Sequence, residues 1–301
     1  MVNAIIDLGS NTIRLCVYEH QGDEVKSIFE KKEMAGLVNY VENEKLSNKG
    51  IDKACDILNR FLELLNNLSV TEENIHIFAT ASLRNIVNTK EVTDTIHNRT
   101  MHQVEVLSGE EEATLDFIGT TKCLDVEEGV IVDIGGGSTE IVLFEDNTIR
   151  YATSIPIGSL NMYVRNVKKI IPKKEEREMI RKTVTDHLSS LEIKKEAYPA
   201  ICGVGGTFRG ISKLNNSIYN LPGCHIEIEA SHIKEILASI KNSHKDTLAP
   251  ILRNIPDRIH TIVPGMIIAD TITDFFSSGN IIVSKYGLRE GYLYERIIKG
   301  E

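Results

Sequence analysis

The chain has 301 residues, a formal net charge of −9, and 42% hydrophobic and 26% charged residues. That length exceeds what one ordinary core serves, so two domains are expected, and the acidic balance argues against binding to DNA, which rests on clustered cations. No apolar run reaches a membrane span, no basic n-region opens the chain, and the five cysteines are odd in number with no CxxC spacing, which together point to a cytoplasmic protein with reduced core thiols and no membrane association.

In chain order, residues 4–8 and 12–18 read as strands joined by a turn at Gly9, Ser10 and Asn11, with a third strand at 25–33. Residues 47–66 carry a helical stripe of Ile51, Ala54, Cys55, Leu58, Phe61, Leu62 and Leu65, with Ser47 as N-cap. A strand at 74–79, a helix opened by TASLRNIV, a short strand at 104–107 and a helix at 109–123 follow. At residue 130 the pattern restarts: strand, glycine turn, strand, the turn EDN, and a third strand near 149–156. Helices are expected at 159–168 and 173–191, a strand at 199–204 running into Gly205, Gly206 and Thr207, and helices at 231–242, 246–253 and 264–277. A strand at 280–284 and a closing helix end the chain. The charged stretch KKIIPKKEEREMIRK reads as a solvated helix face begun at Pro172.

The repeat of hairpin, third strand, helices and further strand implies a duplicated α/β unit. The expected division is 1–124 and 125–301, with the closing helix 286–301 packing back on the first domain and the two glycine turns facing one another across a cleft. Each turn follows a strand ending in Asp-x-Gly. Glycine lets backbone N–H groups converge on one small volume, and such nests with an added hydroxyl bind phosphate oxygens. Gly9, Ser10 and Asn11, then Gly135, Gly136, Gly137 and Ser138, and the third loop Gly205, Gly206 and Thr207 before a helix start are the cradle candidates. Arg14 and Arg84 are the cationic candidates, each able to meet phosphate with a planar fork. A carboxylate does not attract phosphate by itself; its useful role is to hold Mg²⁺, for which Asp133 is the first choice and Asp7 the second. Neither a Walker A loop nor a GxGxxG fingerprint is present.

The three loops resemble those of the actin, sugar-kinase and heat-shock-chaperone superfold. DLGSNTIRL at 7–15, TASLR at 80–84, LSGEEEA at 107–113, DIGGGSTE at 133–140, GVGGT at 203–207 and YGLREGYLYE at 286–295 resemble, in order, the Ppx/GppA family of exopolyphosphatases and guanosine-pentaphosphate phosphatases. The resemblance implies a short, two-domain, Mg²⁺-dependent phosphatase with its active site between actin-like domains. Its substrate would be inorganic polyphosphate, especially short chains, or the guanosine penta/tetraphosphate pppGpp.

Among Glu110, Glu111 and Glu112, Ser108 and Glu111 have capping-box spacing and Glu110 falls where the helix dipole favours any acid. That leaves Glu112, to which the family pattern also points, as first candidate for the general base, with Glu111 second. Glu140 resembles a family carboxylate that contacts metal or metal-bound water. A kinase or ATPase of the same superfold and a non-enzymatic nucleotide sensor are the competing readings; a kinase needs no water-activating glutamate in SGEEEA. A homodimer is expected from base rates alone.

Overall fold

Strand β1 (Val2–Leu8) is buried along both faces, Val2, Ala4, Ile6 and Leu8 on one and Asn3, Ile5 and Asp7 on the other, so it sits inside a sheet. In the computed structural model, which describes residues 1–193, 197–240 and 245–300, it pairs antiparallel with β2 (Thr12–Gln21), and β2 pairs antiparallel with β3 (Glu24–Met34). The lysine- and glutamate-rich β3 is mostly exposed and forms the sheet edge, where charged side chains discourage pairing with another chain. A small hairpin, β4 (Val41–Glu42) and β5 (Lys45–Leu46), precedes helix α1 (Asn48–Asn67). The expected stripe of α1 is buried except for the half-buried Leu62, and Ser47 occupies the N-cap position through its backbone, its carbonyl accepting the Ile51 N–H, with no capping bond to its side chain.

Strand β6 (Ile75–Ala79) lies parallel to β1 on its other side. The helix expected from TASLRNIV is broken into the single turn α2 (Ala81–Arg84) and α3 (Thr89–Thr100). Thr89 accompanies the break: its hydroxyl lies within hydrogen-bond distance of both Leu83 O (2.7 Å) and Ile86 O (2.8 Å), and its one hydrogen is shared between carbonyls that a continuous helix would have used. Strand β7 (Glu105–Val106) pairs parallel with β6, giving the sheet order β3-β2-β1-β6-β7. Helix α4 (Gly109–Thr121) follows.

The second sheet repeats this order. Strands β8 (Gly129–Ile134), β9 (Thr139–Glu145) and β10 (Thr148–Ile155) form an antiparallel meander, and β11 (Ala200–Val204) pairs parallel with β8. Between them lie α5 (Ser159–Asn166) and α6 (Lys174–Ser190). After β11 come α7 (Gly205–Ile218), the short strand β12 (Glu227–Glu229), α8 (Ala230–Ser239), α9 (Lys245–Asn254) and α10 (Ile262–Phe275). Strand β13 (Asn280–Val283) lies parallel to β11, and β12 adds an antiparallel edge, so the order is β10-β9-β8-β11-β13-β12. Helix α10 is buried almost all round, because it packs among α5, α6, α7 and α8.

The chain divides into two compact units, Met1–Glu112 with Tyr292–Glu301, and Ala113–Gly291. The last residues run through α11 (Leu288–Tyr292) into a π-helical turn at Leu293–Ile298. In the first unit Tyr292 donates to Glu105 (2.7 Å) and Tyr294 to Asp23 O (3.2 Å). In the second, Ala113 and Phe117 of α4 pack with Ile131, Val142 and Phe144. Cys16, Cys55 and Cys202 are buried, and burial pushes the Cys202 thiol up to about 11, which keeps it protonated and inert at neutral pH.

The charged stretch before and within α6 differs from a simple solvated face. Arg177 reaches Pro172 O (3.0 Å), Leu237 O (2.6 Å) and Ile240 O, placing its cation on the carbonyl end of α8. Arg181 meets the 3% exposed Asp270 at 2.6 Å. Substituting Arg181→Met strands a buried carboxylate and is expected to destabilise the protein by about 2 kcal/mol, lowering Tm by roughly 5 °C. Lys182→Met, one residue on and paired only at the surface with Asp186, is expected to shift stability by less than about 0.5 kcal/mol. Thermal melts of the two variants check this.

Candidate active site

The motif residues of each unit gather at the carboxyl ends of its parallel strands, where open α/β sheets place their ligands. In the first unit, Leu8 of β1 pairs with Ala79 of β6, Ala79 pairs with Val106 of β7, and Leu107 N–H bonds Ala79 O (2.9 Å). The 9–11 turn, the start of α2 and the start of α4 are therefore neighbours. The turn closes with Gly9 N–H on Thr12 O (3.1 Å), and a Cβ at Gly9 would come within 2.9 Å of that oxygen. Asn11 O accepts the N–H groups of Ala35 (3.0 Å) and Gly36 (2.9 Å), and Ser10 O accepts that of Val38 (3.3 Å). A trans peptide points its N–H opposite to its C=O. Anchoring those two carbonyls on the 35–38 segment thus turns the N–H groups of Asn11 and Thr12 the other way. Ser82 adds a bond from its hydroxyl to Leu8 O.

Arg84, at the end of α2, donates through Nη1 to Glu112 Oε2 (2.7 Å) and to Leu107 O (3.0 Å). Glu112 is 6% exposed, so the pair is largely removed from water. The guanidinium therefore fixes the carboxylate's direction as well as carrying charge of its own. The capping box read from the sequence is formed: Glu111 Oε2 accepts Ser108 N–H (2.9 Å), and Ser108 Oγ accepts Glu111 N–H (3.1 Å). Glu111 also meets Arg296 at 2.7 Å. The bonds from the Ser108 backbone and side chain, then Arg296, hold its carboxyl below the ordinary value. Glu110 is exposed. The structure thus separates three consecutive acids into a solvent-facing one, a capping one and a buried, arginine-held one.

In the second unit Gly135 N–H closes its turn on Ser138 O (2.9 Å). Helix α5 backs the turn: Ser159 N–H bonds Gly135 O (2.9 Å), and the N–H groups of Leu160 and Asn161 bond Gly136 O (both 3.0 Å). Gly158 comes so close that a Cβ there would lie 2.4 Å from the Gly136 carbonyl. As in the first unit, carbonyls are drawn to one side and the following amides face the other.

Two carboxylates stand beside this turn. Asp133 of β8 pairs directly with Glu140 of β9, and Glu140 pairs directly with Ser154 of β10. Directly opposed residues share one face of the sheet. Glu140 is 2% exposed and accepts a bond from Ser154 Oγ at 2.6 Å. Val204, next to Asp133 across the parallel pair, leads into Gly205 at φ +80°. A Cβ at Gly205 would stand 2.1 Å from an Asp133 carboxylate oxygen, so glycine is required there by both conformation and space. Thr207, a cradle candidate, commits its hydroxyl to Ile134 O (2.6 Å) and packs against Gly265, which ties α7 to the end of β8. Ser138 is 2% exposed.

The two units differ in one respect that bears on metal. Asp7 pairs across its hairpin with Arg14, a cation, whereas Asp133 pairs across its hairpin with Glu140, a second acid. Like charges directly opposed destabilise a sheet, and a divalent cation relieves that repulsion. Among the described residues no group of three or more His, Cys, Asp or Glu could hold a metal. A two-carboxylate site still suits Mg²⁺, which binds through one or two carboxylates and completes its shell with waters and substrate phosphates.

Three residues of these networks escaped the sequence reading. Ser154 is found by continuing the β-register from Asp133 through Glu140. Asn161 is signalled by its three-residue spacing from Gly158 at a helix start. Arg296 carries no local signal, since its partner lies 185 residues away.

The repeated sheet order defines a duplicated α/β protein of the actin-like class. A profile of the Ppx/GppA phosphatase family matches residues 16–299, and the chain belongs to that family. It is 28% identical to a bifunctional 3-dehydroquinate synthase/phosphatase of Fusobacterium nucleatum over 98% of this chain and 46% of that protein, so it spans about half the length of that relative. It is 23% identical to exopolyphosphatase 1 of Mycobacterium tuberculosis, over 97% of this chain and 87% of that protein. Among solved structures, the Ppx/GppA family member of Aquifex aeolicus superposes with a TM-score of 0.81 at 26% identity, covering 100% of this chain and 99% of that one. Among the described residues no helix is long and apolar enough to cross a membrane.

Because the capped Glu111 has its carboxyl held low, its contribution to stability is fully present above the unfolded value of about 4.3 and is lost as pH falls through the folded one. Glu111→Gln is therefore expected to melt below wild type at pH 7, with the difference closing below about pH 4. Melting curves across that range check it.

Proposed function

We propose that this chain hydrolyses the terminal phosphoanhydride of inorganic polyphosphate, with short chains preferred, and that pppGpp, which ends in the same bond, is a second substrate. The observation that carries the reading is the 135–138 turn: its amides face away from α5, and Asp133 and Glu140 stand opposed beside it. Family membership supports phosphoanhydride chemistry at such a turn.

In this reading the amides of Gly136, Gly137 and Ser138 hold phosphate oxygens, and Ser10, Asn11 and Arg14 supply the equivalent turn of the first unit. Asp133 and Glu140 would hold Mg²⁺, with Asp7 the further candidate. Bound there, Mg²⁺ would neutralise charge on the phosphates. Glu112, aimed by Arg84, orients the attacking water and accepts its proton. The water oxygen bonds to the terminal phosphorus, the bridging P–O bond breaks, and orthophosphate leaves with the shortened chain as the other product. Glu111 is committed to the Ser108 cap, which favours Glu112 over it as the group that orients the attacking water.

A kinase of the same fold would use similar turns on ATP but needs no water-activating Glu112, and an ATPase would release phosphate from ATP. Phosphate release from short polyphosphate, long polyphosphate, pppGpp and ATP, measured in parallel with Mg²⁺ and with EDTA, separates these. The expected result is Mg²⁺-dependent release from short polyphosphate or pppGpp, lowered by about 10²–10⁴-fold in Glu112→Gln. Turnover of ATP alone, or full activity in Glu112→Gln, would overturn it.

A further inference from the structure

Resting on that reading, we propose that Asn161 is a positioning residue that sets the phosphate-binding direction of the 135–138 turn. Asn161 is the third residue of α5 and is 7% exposed. Its side-chain amide donates to Gly137 O (2.7 Å) and Pro156 O (3.1 Å), and its carbonyl oxygen accepts the Gly158 N–H (2.8 Å). Both amide hydrogens are used, and the partners fix which side-chain atom is nitrogen: two carbonyls need a donor, one N–H needs an acceptor. The side chain is thereby locked in one orientation.

The bond to Gly137 O has a specific consequence. Backbone N–H groups of α5 already anchor the carbonyls of Gly135 and Gly136. Among the described residues the third carbonyl, Gly137 O, receives the Asn161 side chain. Holding it toward α5 points the N–H of Ser138 away, alongside those of Gly136 and Gly137. Glycine at 137 would otherwise let that peptide turn over at little cost, exchanging a donor for a carbonyl oxygen that repels phosphate. Asn161 thus completes a row of three donors. The same side chain, through Gly158 and Pro156, ties that row to the end of β10.

The test is binding of methylenediphosphonate, an anhydride analogue that is not hydrolysed, to the full chain with Mg²⁺. It is read by titration and by the backbone amide shifts of Gly136, Gly137 and Ser138. In wild type these three amides are expected to move on binding. Asn161→Ala, which changes no charge, is expected to weaken binding roughly tenfold, as loss of a pre-set donor would. The Ser138 response should be lost while the Gly136 response is kept. If Asn161→Ala does not fold, Asn161→Asp, which keeps the Gly158 bond and removes both donors, decides by the Ser138 response alone, since its added charge weakens anion binding by itself. Wild-type affinity and an unchanged Ser138 response in the folded variant would overturn the proposal and leave the phosphate turn standing. Absence of any response at 136–138 in wild type would instead remove the phosphate turn itself, and this proposal with it.

Discussion

The planarity of the peptide bond governs both glycine turns. Once a carbonyl is anchored on one side, the next amide has no choice but to face the other. In the first unit the anchor is the 35–38 segment acting on Ser10 and Asn11; in the second it is the first turn of α5 acting on Gly135, Gly136 and Gly137. Each makes the turn a donor surface before any ligand arrives, which removes an ordering cost from binding.

A second theme is the sorting of carboxylates by their surroundings. Glu110, Glu111 and Glu112 are consecutive, yet helix periodicity sends them to water, to a cap and to a half-buried arginine. Asp7 and Asp133 end equivalent strands, yet one faces Arg14 and the other Glu140 across the hairpin. The duplicated fold therefore carries different electrostatics at equivalent positions, with the acid pair confined to the second unit.

Much of this was legible in the chain. The two strand-turn-strand motifs, the order of the main strands and helices, and the capping box of α4 follow from local periodicity and spacing, whereas the two- and three-residue strands β4, β5 and β12 are too short to show a period. Family membership was legible because SGEEEA and DIGGGSTE are contiguous motifs, read directly along the chain without knowledge of long-range contacts. The break at Thr89 was not legible, since helical pattern alone does not register a hydroxyl's competition for carbonyls. The inward arginines of α6 were hidden for a different reason: Arg177 and Arg181 lie in a charge run, and only the packing of α8 and α10 shows which of its cations have buried acceptors. Ser154 and Asn161 act through partners in other elements, so their roles appear only once register and helix placement are known.

The most direct test is where an isolated oxyanion settles on the protein. A crystal of the chain soaked with tungstate, a heavy phosphate mimic, should show the ion within hydrogen-bond distance of the Gly136, Gly137 and Ser138 amides, on the side away from α5. Tungstate bound only elsewhere, with those amides turned toward α5 or closed on the protein's own carbonyls, would contradict the account.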